Sequence, residues 1–400
     1  MINSDFHKLN RQKTIKAANG GVIILTAFTQ LQCDDDSAFS FIQESNFWWL
    51  TGINEPDWWL IIDGQRNKSW LVPSAISDIG QIFNGSLSCE MAKKISGVDG
   101  VISKNEAMTM IDGLAKKHSV VYTVTEPSHV EYFDFVLNPA LRKLKITLER
   151  LFNDVQDCRL ELAKLRAIKQ PEEIAAIKKA IKLTIDGFNE VKLKLQTFKH
   201  EYEVEAELSY HFRKNGAVGH ACTPIVASGK NACILHYCDN NSKLKKRDLL
   251  LLDIGVRLGG YASDISRTYA ISQPTQRQLA VHNAVDQARR QIVSILRPGL
   301  SMLDYQDQSD IIMQKAIKEL GLLTSIDSYR KYFPHAISHG LGVSVHDSLG
   351  RASEFLPGMV LTVEPGIYIP DEGIGVRIED DILITENGHS NLSAALLTSL

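Results

Sequence analysis

The sequence predicts an α/β (α+β) chain of two domains: a small N-terminal α/β domain over residues 1–160 and a larger second domain over 161–400. Three observations predict this. At 400 residues the chain exceeds what one hydrophobic core usually serves. All five tryptophans, Trp48, Trp49, Trp58, Trp59 and Trp70, fall in one early segment, whereas every cluster of polar residues set into apolar strands lies beyond residue 230. The pattern also changes near residue 165, from short apolar segments to long amphipathic periodicity.

The first part alternates the apolar segments Val22–Ala27, Phe47–Leu50, Trp58–Ile62, Trp70–Val72 and Val120–Val124 with helix-like stretches, the texture of a small α/β domain. Its clustered tryptophans read as core and interface residues. A boundary is expected at 155–170. There KLRAIKQPEEIAAIKKAIKLTIDGFNEV places Pro171 at a helix start, acids in the first turn, and Ile174, Ile177, Ile181, Ile185 and Phe188 at helical spacing. A second helix carries Val204, Leu208 and Phe212 on one stripe and ends near Asn215–Gly216. Beyond residue 220 strands dominate, with helices expected at about 276–296 and 302–320.

Composition removes several classes of function. A net charge of −3 leaves no electrostatic footprint for nucleic acid, and the basic stretch Lys243 to Arg247 reads as a solvated turn. No apolar run approaches the 18 residues of a membrane span, and the N-terminus lacks the apolar core of a signal peptide, so a cytoplasmic protein is expected. The six cysteines have no CxxC spacing and read as free thiols. A small-molecule or peptide substrate is therefore expected.

The strongest passage is Asp248-LLLLDIGVRLGGYASDISRTYAI, two apolar strands joined by a glycine-containing turn, with one acid on each arm. A loop at Leu258–Gly259 would place Asp253 directly opposite Asp264, about 5 Å apart across the ladder. A loop at Gly259–Gly260 would offset them by two. Exposed carboxylates are the competing reading, but Asp253 follows four leucines, a buried context. A buried pair of acids either shares a proton or binds a cation. Two further acids sit in apolar strands, Glu364 in VLTVEPGIYI and Glu379 in GVRIEDDILIT, and Arg377 shares a strand face with Glu379. Arg377 there suits support of a metal-bound carboxylate, an anchor for a substrate carboxylate, or a plain salt bridge. His335, His339 and His346 cluster among glycines. The His335/His339 pair has the i,i+4 spacing of a metal-binding helix, but Ala336 excludes an HExxH zincin, and HGLGVS lacks the lysine of a phosphate loop. His236 follows an expected strand and, taken alone, reads equally as structural. Four carboxylates and one histidine form an oxygen-rich set with room for two ions, the arrangement that activates water for hydrolysis. It favours Mn²⁺, with Co²⁺ or Zn²⁺ as alternatives.

In order, LLDIG, SDISRT, SHGLGVSVHD, TVEPGIY and GVRIEDD resemble the ligand motifs of the pita-bread metallopeptidases, in particular Xaa-Pro aminopeptidase (aminopeptidase P) and its relative prolidase. SFIQESNFWWLTGINEPDWWLII looks like the non-catalytic N-terminal domain of aminopeptidase P, and KQPEEIAAIKKA like the helix that opens the catalytic half. The resemblance implies a pita-bread domain in which Asp264 and Glu379 bridge two metals, Asp253 completes one site, and His339 with Glu364 completes the other. Glu364 would shuttle the proton, and His236 and His346 would stabilise the tetrahedral intermediate. His335, Tyr368 and Arg377 would receive the proline side of a proline-containing peptide. Prolidase activity on dipeptides is the alternative: NEPDWW leans to aminopeptidase P, while the compact connection DSLGRASEFLPGMVLTV leans the other way. A non-catalytic peptide-binding module of the same fold is a third reading, opposed by the intact ligand set. A homo-oligomer, dimer or tetramer, is expected.

Overall fold

The computed structural model of the chain describes residues 2–127, 136–323 and 328–400. It divides into two units, Met1–Leu165 and Arg166–Leu400. In the first, β1 (Val22–Thr26), β2 (Trp59–Asp63), β3 (Lys68–Val72), β4 (Gly100–Val101), β5 (Val120–Thr123) and β6 (Asp154–Asp157) form one mixed sheet in the order β4-β3-β2-β1-β5-β6. Every residue of β1 is buried, as a run of continuous apolar residues at the centre of a sheet requires. One apolar segment is not a strand: Phe47–Leu50 lies in the helix Ser45–Thr51, started by the Glu44 carboxylate on Phe47 N and stopped by left-handed Gly52. Trp49 and Trp58 are buried, and Trp59 and Trp70 pack against the sheet core with Ile61 and Val72.

The second unit opens with the helices Pro171–Lys194 and Glu201–Lys214 and, further on, has Gln276–Ile295 and Met302–Glu319. Ile177, Ile181, Ile185 and Phe188 of the first are buried, as are Val204, Leu208 and Phe212 of the second. The strands are β7 (Gly219–His220), β8 (Ile225–Ser228), β9 (Leu249–Ile254), β10 (Val256–Leu258), β11 (Tyr261–Ala262), β12 (Ile265–Ala270), β13 (Val360–Val363), β14 (Gly366–Ile369), β15 (Ile374–Arg377), β16 (Asp380–Thr385) and β17 (Gly388–Asn391). Val281, Val285 and Ile292 of the third helix share one core with Leu361, Val363, Val376 and Ile382.

Two hairpins, β9 to β12 and β13 to β16, each break in the middle and change sheet. In the first, β9 and β12 pair in the order β12-β9-β8, whereas β10 and β11 belong to the sheet β11-β10-β7. A Cβ on Gly255 would stand 2.2 Å from the Ser263 carbonyl oxygen, so only glycine permits this crossing. In the second, β13 pairs with β16 and β14 with β15. Pro365, which has no N–H to give the ladder, stands at that break.

The register corrects the direct facing of Asp253 and Asp264. Leu258 pairs with Tyr261, so the loop is Gly259–Gly260, and both glycines have positive φ, 59° and 84°, the type I′ turn that matches strand twist. Asp253 therefore lies opposite Ser266.

Candidate metal centre

The polar residues gather where the two hairpins break. Asp264 falls between β11 and β12, Glu364 between β13 and β14, and Glu379 between β15 and β16, while Asp253 lies near the end of β9. Glu364 and Glu379 thus sit between strands, not within continuous ones. At each break another segment takes the freed backbone N–H: Asp264 N donates to Asp381 Oδ2 (3.3 Å), Glu364 N to Ile337 O (3.0 Å) and Glu379 N to Ser266 O (3.0 Å). The ladder is broken without leaving these donors unpaired.

The His335–His339 segment is not a helix. His339 N donates to Thr362 Oγ1 (3.1 Å), Thr362 N donates to His339 O (2.9 Å), and Gly340 bridges to Leu361, so the segment runs beside β13 as an extended strip. That geometry still delivers His339 to the acids. Its Nδ1–H donates to Gly340 O (3.0 Å), which leaves Nε2 directed at Asp264 Oδ2 (3.5 Å) and Glu364 Oε1 (3.6 Å).

Three overlapping sets have ligand atoms all within 4.8 Å of one another: Asp253, Asp264 and Glu379; His339, Glu364 and Glu379; and Asp264, His339 and His346. The His339 and His346 rings are 4.4 Å apart. His236 is exposed, and its charge is one of the influences on His346, so it stands in the same neighbourhood. His335, Tyr368 and Arg377 form a chain. Arg377 Nη1 donates to Tyr368 Oη (2.8 Å), Tyr368 Oη–H to His335 Nε2 (2.8 Å), and His335 Nδ1–H to Ala336 O (2.8 Å). Arg377 also donates through Nη2 to Asp253 Oδ2 (2.6 Å) and through Nε to Ser266 Oγ (3.0 Å), and Ser266 Oγ–H donates to Glu379 Oε2 (2.7 Å). All the singled-out residues are thus brought to one place.

The electrostatics describe a site short of positive charge. Burial, then Asp264, Glu364 and Asp253, push the Glu379 carboxyl well above the usual range. Burial pushes Glu364 up to about 7 even though His339 and Arg377 pull it down. Burial lowers His339, but Asp264 and Glu364 outweigh it and raise the imidazole to about 9. His346 and His335 go the other way, to about 4, burial acting first, with His339 and Arg377 respectively adding to it. Asp264 Oδ1 is buried with no hydrogen-bond partner among the described residues. Four acids, one with an orphaned oxygen, together with a histidine Nε2 directed at two of them, make a donor set that fits divalent cations.

Sequence patterns did not single out Ser266, Thr362, Asp381 or Cys222. Ser266 joins Arg377 to Glu379, and its place in the SDISRT run, two residues after Asp264, was the available signal. Asp381 is wholly buried behind Asp264, and Cys222 lies near Asp264, Asp253 and Glu379. Among the described residues all six cysteines are free thiols, and no helix is long and apolar enough to cross a membrane.

A sequence model of metallopeptidase family M24 matches residues 175–386, and one of the aminopeptidase P N-terminal domain matches residues 7–122. The chain is 33% identical over 405 residues to Xaa-Pro aminopeptidase of Escherichia coli, an alignment covering 94% of this chain and 91% of that protein. Among solved structures, aminopeptidase P from E. coli with the inhibitor Pro-Leu has a TM-score of 0.84 at 30% identity, covering 99% of this chain and 96% of that one. Proline aminopeptidase P II from Yersinia pestis has a TM-score of 0.83 at 32% identity, covering 98% and 96%.

Proposed function

The chain belongs to metallopeptidase family M24 and carries an aminopeptidase P N-terminal domain, and from that premise we propose that it hydrolyses the Xaa-Pro bond at the amino terminus of peptides. The observation that carries the reading is the convergence of Asp253, Asp264, Glu364, Glu379 and His339 on one point, with Asp264 Oδ1 buried and unpartnered among the described residues. In this reading Asp253, Asp264, His339, Glu364 and Glu379 would hold two divalent cations, Asp264 and Glu379 shared between them, Asp253 serving one and His339 with Glu364 the other. Two divalent ions there supply a lowered pKa for water and polarisation of the scissile carbonyl. Oxygen-dominated ligation favours Mn²⁺ over Co²⁺ or Zn²⁺.

The protein's own groups divide the remaining work. Glu364, held among the described residues by a 3.5 Å contact from Thr362 Oγ1 and by His335 and His339 at 3.6 Å, moves the proton. His346 stays neutral at physiological pH, and with His236 it donates to the oxygen that gains charge as the carbonyl becomes tetrahedral. His335, Tyr368 and Arg377 line the proline side. Residues 1–160 act as a non-catalytic domain, and 161–400 as the pita-bread catalytic domain. We further propose a cytoplasmic homo-oligomer, dimer or tetramer.

Two substrates test the reading. With Mn²⁺ restored, the enzyme is expected to release alanine from Ala-Pro-Ala and leave Ala-Ala-Ala intact. No release from the first would overturn the proposal. Ala-Pro cleaved while Ala-Pro-Ala survives would mark an Xaa-Pro dipeptidase instead.

A further inference from the structure

His236 is exposed and makes no hydrogen bond among the described residues, so its position depends on the backbone that carries it. That backbone, residues 228–242, is gathered by one carboxylate. Glu201 is the first residue of the helix Glu201–Lys214 and is 0% exposed. Its Oε1 accepts from Ser228 N (2.7 Å), Ser228 Oγ (2.7 Å) and Asn231 Nδ2 (3.1 Å). Its Oε2 accepts from Tyr237 Oη (2.8 Å) and Ser242 N (2.8 Å).

None of these five donors is cationic, and they flank His236 on both sides. A buried charge tolerated by neutral donors alone has to be saturated by them, and its place at a helix N-terminus adds a favourable dipole. The backbone reciprocates: Glu201 N donates to Ser242 O (3.0 Å) and Leu244 N to Lys199 O (2.8 Å), closing the segment on the helix. Tyr237, next to His236, is buried in the core cluster that also holds Leu251 and Tyr368. Tyr237 is thus tied to Glu201 at its hydroxyl and buried in the cluster that holds Tyr368, while His236 beside it in the chain stays exposed, near enough for its charge to act on His346.

We propose that Glu201 is a positioning residue: by collecting both arms of the 228–242 segment it sets where His236 stands in the reaction. This rests on the reading that His236 assists the chemistry. Glu201 touches no reacting atom, and its effect passes through His236.

The test is a double-mutant cycle on the Mn²⁺-loaded enzyme with Ala-Pro-Ala, combined with metal content. His236→Ala is expected to lower kcat by about 10²-fold. Glu201→Gln leaves an amide where five donors converge and is expected to lower kcat by roughly 10²-fold through misplacement of His236, with little change in KM and full metal content. The double variant is expected to be no slower than His236→Ala alone. If His236→Ala keeps the wild-type kcat, the reading of His236 fails. If His236→Ala is slow but Glu201→Gln is not, or if the two losses multiply, the positioning role is overturned. Should Glu201→Gln fail to fold, Tyr237→Phe removes one donor and keeps the carboxylate. Its kcat loss is expected in the wild type and absent in the His236→Ala background, and a loss of equal size in both backgrounds would overturn the proposal.

Discussion

The two broken hairpins of the second unit contribute alike and are finished differently. Each supplies one acid held by a short hydrogen bond and one that lacks such a bond among the described residues. In the first, Asp253 takes a 2.6 Å bond from Arg377, while Asp264 keeps a buried oxygen with no partner among the described residues. In the second, Glu379 takes a 2.7 Å bond from Ser266, while Glu364 has longer contacts alone among the described residues, 3.5 Å to Thr362 Oγ1 and 3.6 Å to His339 Nε2 and His335 Nδ1. The supports cross over, Arg377 of the second hairpin serving Asp253 of the first and Ser266 of the first serving Glu379 of the second. The structure therefore fixes two carboxylates in advance and leaves two under-satisfied around His339. A cation would complete the second pair, and the first pair is already oriented for it.

This contrast can be broken most severely at Asp264. Asp264→Asn is expected to abolish turnover on Ala-Pro-Ala and to lower the number of ions bound, read by activity and metal analysis of the same sample; wild-type metal content would mean that Asp264 is not a shared ligand. Glu364→Gln keeps the shape of the other under-satisfied acid and removes its proton chemistry, so a fall in kcat of about 10²–10⁴-fold is expected, with KM changed far less. Steady-state kinetics decides it. Ser266→Ala breaks only a support, and metal affinity or activity should drop by about 10–100-fold, measured by metal titration.

The smallest effect is one of pH. In the metal-free protein Glu364 is raised from 4.5 to about 7 and His339 from 6.5 to about 9. Both folded-state values lie above the unfolded ones, so the stability they contribute is full below the unfolded values and is lost as pH rises to the folded ones. Above pH 7 the histidines held near 4 are neutral in both states and no longer oppose this loss, so the metal-free chain should melt at a lower temperature at pH 9 than at pH 7 as His339 loses its proton. Mn²⁺ should narrow the gap, because binding needs the deprotonated ligands. A metal-free melting temperature that does not fall between pH 7 and 9 would contradict this.

Helices were the most legible elements. Pro171 with its following acids and the Asn215–Gly216 stop marked the ends of real helices, because capping chemistry is local. The strands were legible as apolar runs but not as broken ones. Nothing local in GVRIEDDILIT says that Arg377 and Asp380 pair with different partners, since the break at Ile378–Glu379 is imposed by Pro365 and Ser266 from elsewhere in the chain. For the same reason the i,i+4 spacing of His335 and His339 misled: Leu361 and Thr362 of β13 hold that segment extended, and spacing carries no record of such partners. The Gly259–Gly260 turn was one of two placements open from the sequence, and the positive φ of both glycines selects it. The acids themselves were visible because a carboxylate within a run of leucines or valines is costly unless something meets its charge.

The most direct measurement is calorimetric titration of Mn²⁺ into the metal-free protein at pH 8, run in parallel for the wild type and Asp264→Asn. Two ions per chain are expected for the wild type, with fewer for the variant and a matching loss of Ala-Pro-Ala hydrolysis. No specific binding by the wild type, or a variant that binds the same two ions, would contradict a centre built on the two under-satisfied acids.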